Sequence, residues 1–249
     1  MISSVQKLAR IIDLFSDGEP SLSNKEIADR LNLPPSSVNH FLKSMCKENI
    51  LLQGTDKRYR LGWKILEWSN KVMYYQEIHA EAGPIISNLV TRFKGTSHIG
   101  MFYDGEIRFV FKAMSPNADV VPTFIGMTRY PAYATSIGKV LLAYNKSFLM
   151  PMMAKGMFKQ SKNTITNVDT LQKELEVVRK NGYAISDDEN VSSTYGIAAP
   201  IKTYNGQVVA ALNLVGERDY MKGKEHQLII KEVVRSANLI SRQLGYMII

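Results

Sequence analysis

The sequence predicts an α+β protein of two domains: a winged helix-turn-helix, a linker helix, and a C-terminal antiparallel sheet with helices of the kind found in sensor domains. Three observations predict it. Helical periods crowd residues 3–48 with a tight Asn-Leu-Pro turn among them, a basic hairpin follows at 51–61, and beyond residue 96 hairpin signals mix with helical ones. The expected boundaries are 1–64 for the winged helix, 65–78 for the linker helix and 79–249 for the sheet domain.

Residues 3–16 place Val5, Leu8, Ile12 and Phe15 three and four apart with Ile11 beside them, so one helix face is apolar. Asp17-Gly18-Glu19-Pro20 breaks that helix. Ser23-Asn24-Lys25-Glu26 then reads as a capping box, the Ser23 hydroxyl serving the Glu26 amide and Glu26 reaching back. The short helix so started carries Ile27, Ala28 and Leu31. Asn32-Leu33-Pro34 is the turn, and Pro35 suits the first position of a third helix, where its missing N–H costs nothing. That helix runs to about Glu48, with Val38, Phe41, Leu42 and Met45 inward. Leu51–Gln53 and Tyr59–Leu61 flank a glycine turn and form the wing. From Trp63 the period is helical again, and Ile65, Trp68, Val72 and Tyr75 have the spacing of a coiled-coil seam, which suits packing on a second subunit.

His79–Phe93 reads as a fresh helix with Pro84 near its start. Ser97–Tyr103 and Glu106–Lys112 are joined by Asp104-Gly105, a two-residue hairpin signal, and Ile107, Phe109 and Phe111 alternate onto one face. A second hairpin joins Ala198–Tyr204 to Gln207–Val215 through Asn205-Gly206. Helices are expected at Ser136–Tyr144, at Val168–Lys180 ended by Asn181-Gly182, and at Lys224–Leu244 ended by Gly245.

Composition narrows the function classes. At 249 residues, 45% hydrophobic and 22% charged, the chain can bury one sizeable core or two smaller ones. No apolar run reaches the roughly 20 residues of a membrane helix. Lys7, Arg10 and Asp13 interrupt any signal peptide, so a cytoplasmic location is expected. Cys46 is alone, which fits a reducing compartment and a small buried hydrophobe. His40, His79, His98 and His226 are scattered without metal-ligand spacing, and there is no glycine-rich phosphate loop or nucleophile elbow. No metal and no cofactor are therefore expected. The net charge is +8, and half of it falls between residues 33 and 64, where six basic side chains face two acidic ones. That concentration suits a polyanion.

In a helix-turn-helix the recognition helix presents its N-terminal residues to base edges, here Ser36, Ser37, Asn39 and His40, with Lys43 a turn further. Asn39 can bond adenine through two hydrogen bonds. Lys57, Arg58 and Arg60 on the wing would meet phosphates or the minor groove of double-stranded DNA.

Five blocks in order carry a closer likeness: SVQKLARIIDLFS, LSNKEIADRLNLPPSSVNHFLKSM, KRYRLGWKILEW, YATSIGKVLLA and GYAISDDENVSSTYGIAAPIKTYNGQVVAALNLVG. Through them the chain resembles the IclR family of bacterial transcription regulators over nearly its whole length. The resemblance implies a GAF/PAS-like effector domain behind the winged helix, and a homodimer or dimer of dimers on a palindromic operator. It also implies a small-molecule effector, an organic or aromatic acid, held near Ser136, Ile137, Ser186, Gly196, Asn213 and Val215. A carboxylate suits Ser136 at a helix start, and Tyr133 and Tyr195 are candidate walls. The sequence departs from the family at His40, where a basic residue is common, and at Tyr133, Ser186, Asn213 and Val215, so the family's metabolites do not transfer by name.

Two other classes compete. An enzyme would use Lys139 for a Schiff base, or Asp187 and Asp188 with Glu189 as acids and bases. A protein-interaction adaptor would turn the winged helix toward another protein, which the wing's charge disfavours.

Overall fold

The computed structural model describes residues 3–15, 19–74, 77–116, 118, 123, 125 and 129–246, with the backbone alone for residues 3, 70–74, 77–81 and 129. The chain divides into two compact units, Met1–Gln76 and Glu77–Ile249.

The first unit contains α1 (Ser3–Leu14), α2 (Asn24–Leu31), α3 (Pro35–Lys47), the wing strands β1 (Leu51–Gln53) and β2 (Tyr59–Leu61), and α4 (Trp63–Tyr74). Its core is Ile11, Phe15, Leu22, Ile27, Val38, Leu42, Met45, Leu51 and Tyr59 with their neighbours. The apolar face of α1 centres on Ile11 and Phe15, while Val5 is 63% exposed, so the expected stripe is rotated by a fraction of a turn. Phe41 is half-buried and carries Lys7 over its ring at 5.7 Å. The capping box forms as expected: Glu26 N–H donates to Ser23 Oγ at 3.3 Å and Ser23 N–H to Glu26 Oε2 at 2.7 Å. Asn32 caps the other end of α2 in the left-handed conformation, φ 53°. Leu22 pairs with Tyr59 across two backbone hydrogen bonds, a third short edge for the wing that nothing in the local pattern announces. In α4, Ile65 packs on the core whereas Trp63, Leu66 and Trp68 are 71%, 52% and 42% exposed. The outer part of the expected seam, Val72 and Tyr75, falls outside the described side chains, as does the Asp17-Gly18 break.

The second unit is a six-stranded antiparallel sheet in the order β5-β4-β3-β8-β7-β6, formed by β3 (Thr96–Tyr103), β4 (Glu106–Met114), β5 (Arg129–Pro131), β6 (Ala184–Asp187), β7 (Thr194–Lys202) and β8 (Val208–Glu217). Strands alternate their side chains, so each contributes to two cores. Ile99, Ile197, Leu212 and Leu214 face α5 (Glu77–Phe93) and α10 (His226–Gln243). Ala198 and Ala211 face α6 (Ser136–Tyr144) and α8 (Val168–Asn181), with the short α7 (Leu149–Ala154) between those two helices in the chain and the short α9 (Arg218–Met221) between β8 and α10. Gly138 lets α6 lie against the turn before it, since a Cβ there would sit 2.1 Å from the Ala132 carbonyl oxygen.

Three sequence expectations need correction here. The Asp104-Gly105 hairpin is tight, both residues having positive φ, but in the second hairpin only Gly206 does. Lys202 pairs with Val208, and Asn205 Oδ1 accepts from Gln207 N–H at 3.1 Å inside a wider turn. In β4 the pairing steps from Gly100–Phe109 to Ile99–Phe111, so Val110 is an extra residue. That bulge flips the parity, putting Phe111 with the α5/α10 core and leaving Ile107 and Phe109 with the α6 core. Pro84 lies well inside α5, because that helix starts at Glu77 rather than His79.

Candidate functional site

On the first unit, α3 starts without a side-chain cap, Pro34 preceding Pro35 at its first turn. Ser36, His40 and Lys43 are exposed, and Ser37 and Asn39 half-buried, along one side of the helix opposite Val38, Leu42 and Met45. On the wing Lys57 and Arg60 are exposed, Arg60 holding Asp56 at 3.1 Å. Arg58 is engaged differently from its sequence expectation. Its guanidinium donates to Ser21 Oγ (3.2 Å), the Ser21 carbonyl (3.0 Å) and Glu26, pinning the wing to the start of α2. The Ser23 backbone and hydroxyl, followed by Arg58, hold the Glu26 carboxyl down at about 2. Cys46 is half-buried on α3, and burial pushes its thiol up, away from reactivity.

In the second unit a small cavity, partly open to solvent, lies between the α6 face of the sheet and the loop after β6. Ser136, Ile137, Ser186, Gly196, Asn213 and Val215 all line it. They come from four separate stretches of chain. Register explains the convergence, because Gly196 lies opposite both Ser186 and Val215, and Asn213 is one step along the same face of β8. A Cβ on Gly196 would stand 3.0 Å from Ser136 Oγ, so the missing side chain there is part of the cavity. Thr135, not Ser136, caps α6, accepting from Gly138 N–H at 3.1 Å. Ser136 is the first helical residue, 2% exposed, and among the described residues its hydroxyl has no partner outside the cavity.

Sequence reasoning missed His98, Phe109, Thr123 and Tyr130. Their rings stack, His98 on Phe109 at 4.2 Å and Phe109 on Tyr130 at 4.5 Å, as an aromatic wall. Asn213 Oδ1 accepts the His98 backbone N–H at 2.9 Å, which fixes that atom as the oxygen. His98 Nδ1, 3.1 Å from the same oxygen, must then carry the proton, and Nε2 accepts from Thr123 Oγ1 at 2.8 Å. The Asn213 amide nitrogen is left to donate into the cavity. Lys112, opposite His98 in the sheet, donates to the Thr123 carbonyl at 2.9 Å; the Val110 bulge is what turns it to this face.

Burial takes His98 down to about 4, with Asn213 opposing and Lys112 adding to the fall. The folded value lies below the unfolded one, so the histidine contributes stability above pH 6.5 that is lost as pH falls toward 4. The stability of the wild type should fall by about 2 kcal/mol between pH 7 and pH 5 through this group. Denaturant titrations should show that loss, and should show it removed in His98→Gln.

The two tyrosines proposed as walls line no part of the cavity. Tyr133 is buried with its hydroxyl bonded to the backbone of Phe158, 2.8 Å to both N and O. Tyr195 neighbours Gly196 in β7 and so points to the other face, edge-on to His226, where burial pushes its phenol up to about 12. The residues of the enzyme alternative are likewise committed to structure. Lys139 Nζ donates to Glu189 (2.7 Å), the Ile185 carbonyl (2.8 Å) and Glu174 (3.2 Å), leaving no lone pair for a carbonyl. Asp187 meets Arg218 and Lys222, and Asp188 meets Ser161 and the Ser193 amide. Burial opposes ionisation of Asp187, but bonds from Arg218 and Lys222 hold its carboxyl below the usual range.

A winged helix-turn-helix joined to this sheet domain is also what family comparison finds. The family model described as Bacterial transcriptional regulator IclR C-terminal matches residues 70–242, and that of the IclR helix-turn-helix domain matches residues 4–54. The chain belongs to the IclR family. Among relatives of this IclR-type transcriptional regulator, the HTH-type transcriptional regulator XynR of Escherichia coli (strain K12) is 26% identical over 249 residues, covering 99% of this chain and 98% of the relative. The HTH-type transcriptional regulator KdgR of the same organism is 27% identical, covering 98% and 94%. The crystal structure of the Thermotoga maritima IclR superposes with a TM-score of 0.81 at 26% identity, covering 99% and 100%. An IclR homologue from Microbacterium hydrocarbonoxydans complexed with 4-hydroxybenzoate superposes at 0.88 with 21% identity, covering 97% and 98%. Among the described residues of this IclR protein no helix is long and apolar enough to cross a membrane.

Proposed function

We propose that this regulator binds a palindromic operator through α3 and the wing, and that a small organic or aromatic acid in the cavity changes its operator affinity. The cavity carries this reading: Ser136 Oγ, the Asn213 amide and the first turn of α6 offer donors to a carboxylate, beside a stacked aromatic wall. A relative of the same fold is described with 4-hydroxybenzoate, a compound of that class. The domain limits proposed for the division of labour are 1–64 for DNA, 65–78 for the link and 79–249 for the effector, working in the cytoplasm. A thermal-shift screen of small organic acids against the full chain tests the effector half: a stabilising acid should also alter operator affinity about 5- to 150-fold, or roughly 1 to 3 kcal/mol. A stabilising acid without effect on the operator would refute it.

The assembly proposed is a homodimer, or a dimer of dimers, held partly by α4. Trp63, Leu66 and Trp68 leave three large apolar side chains exposed around α4, more than the helix needs as a spacer, and a second copy places two winged helices on half-sites about one helical turn apart. Sedimentation should give at least twice 28.1 kDa for the wild type and a shift toward the single-chain mass for Trp68→Glu. A wild-type monomer on DNA would contradict the assembly.

A further inference from the structure

Three consecutive acids, Asp187 ending β6 and Asp188 and Glu189 following it, each turn a different way. Asp187 turns outward to Arg218 Nε at 2.5 Å and Lys222 Nζ at 2.8 Å. Asp188, held at φ 56°, folds back on its own loop, accepting from Ser193 N–H at 2.9 Å and Ser161 Oγ at 3.1 Å. Glu189 turns inward, 6% exposed, with Oε1 at 2.7 Å from Lys139 Nζ and Oε2 buried without a hydrogen bond among the described residues. Lys139 is itself 1% exposed and lies one turn beyond Ser136 on α6. The Glu189 carbonyl accepts from Thr164 Oγ1 at 2.5 Å, which ties the same point to the segment before α8. The residues that follow, Asn190, Val191 and Thr194, form one wall of the cavity.

A buried ion pair is a poor way to add stability, because desolvating two charges offsets most of their attraction and an apolar pair of similar volume does as well or better. What the pair supplies instead is direction. An ammonium with three fixed acceptors on β6, α8 and the loop allows one arrangement, where two apolar side chains would allow several. We infer that Lys139 is a positioning residue: through Glu189 it locks the strap 187–194 against α6, so that Asn190, Val191 and Thr194 stand as a preformed cavity wall. The strap's other bonds run to Ser161, Asn163 and Thr164 in the segment before α8 and to Arg218, and the Lys139–Glu189 contact is what joins it to α6. The functional consequence rests on the cavity being the effector site, since a preformed wall spares a ligand the cost of ordering it.

Hydrogen–deuterium exchange of the full chain tests the lock without any ligand, so its failure leaves the effector reading standing. In Lys139→Met, exchange in 187–194 should rise at least tenfold while 208–217 and 1–64 keep their wild-type rates. The same variant should lose thermal stability, because Glu189 is left buried and unpaired. The double variant Lys139→Met with Glu189→Leu removes that charge. It should recover the thermal midpoint yet keep the fast strap, which a purely stabilising pair would not predict, and it carries the test if the single variant does not fold. Wild-type strap exchange in the double variant, or a rise spread evenly over 77–246, would overturn the inference.

Discussion

Ser136→Phe is expected to abolish the response of operator binding to the effector while leaving unliganded operator binding unchanged. The hydroxyl of Ser136 faces the bare Cα of Gly196 across the cavity, and the Val215 side chain lies within van der Waals contact of the same point. A phenyl ring at 136 takes the volume in which a carboxylate would sit and removes one donor. The expected loss of effector affinity is at least about 100-fold, or roughly 3 kcal/mol. Calorimetric titration of the effector, paired with anisotropy of an operator duplex, reads both halves. Should the ring disturb α6, Gly196→Ala is the milder partner: its new methyl would lie 3.0 Å from Ser136 Oγ, tight enough to crowd the site but not to fill it. About a tenfold loss is expected there. Full effector response in both variants would place the effector elsewhere.

Asn39→Ala should cost about 1 to 3 kcal/mol at a single base pair of each half-site, and binding to duplexes changed at that pair should become indifferent. The wing behaves differently, because phosphates carry no sequence. Lys57→Ala and Arg60→Ala should each weaken all duplexes alike and flatten the salt dependence by roughly one unit. Arg58→Ala should leave that slope unchanged and lower thermal stability instead, since its guanidinium serves Ser21 and Glu26. Titration of one operator duplex over a range of salt separates the three. An Arg58 variant with the flattened slope and wild-type stability would return that arginine to the phosphates.

The elements were legible wherever a local rule acts alone. The Ser23–Glu26 capping box, Pro35 at the start of α3 and the Asp104-Gly105 turn depend on residues a few positions apart, and the chain obeys each. Residues of the cavity wall were legible to the extent that blocks of sequence carry them. Ser136, Ser186, Gly196 and Asn213 lie in such blocks, but their meeting depends on sheet register, which no spacing along the chain reveals. His98 went unread because its partners are distant: Asn213 is 115 residues away and Thr123 lies in a segment without periodicity. The Val110 bulge hid Lys112 in the same way, an unbroken alternation having assigned it to the other face. A parity count from Gly196 would have excluded Tyr195, since neighbours in a strand face opposite sides. At Arg58 charge in a turn is all that sequence displays, and the partners the structure gives it within the chain lie 32 and 37 residues earlier.

The central claim is that one ligand in the cavity and one operator on the winged helix share a coupling free energy. Reciprocity makes that claim measurable. Effector affinity should be determined by titration of the full chain free and again saturated with operator duplex, beside operator affinity with and without effector. The account predicts the same factor in both directions, within about 5- to 150-fold, and a factor of one in both for Ser136→Phe. An effector that shifts operator affinity equally in wild type and in Ser136→Phe, or one whose own affinity ignores the operator, would contradict it.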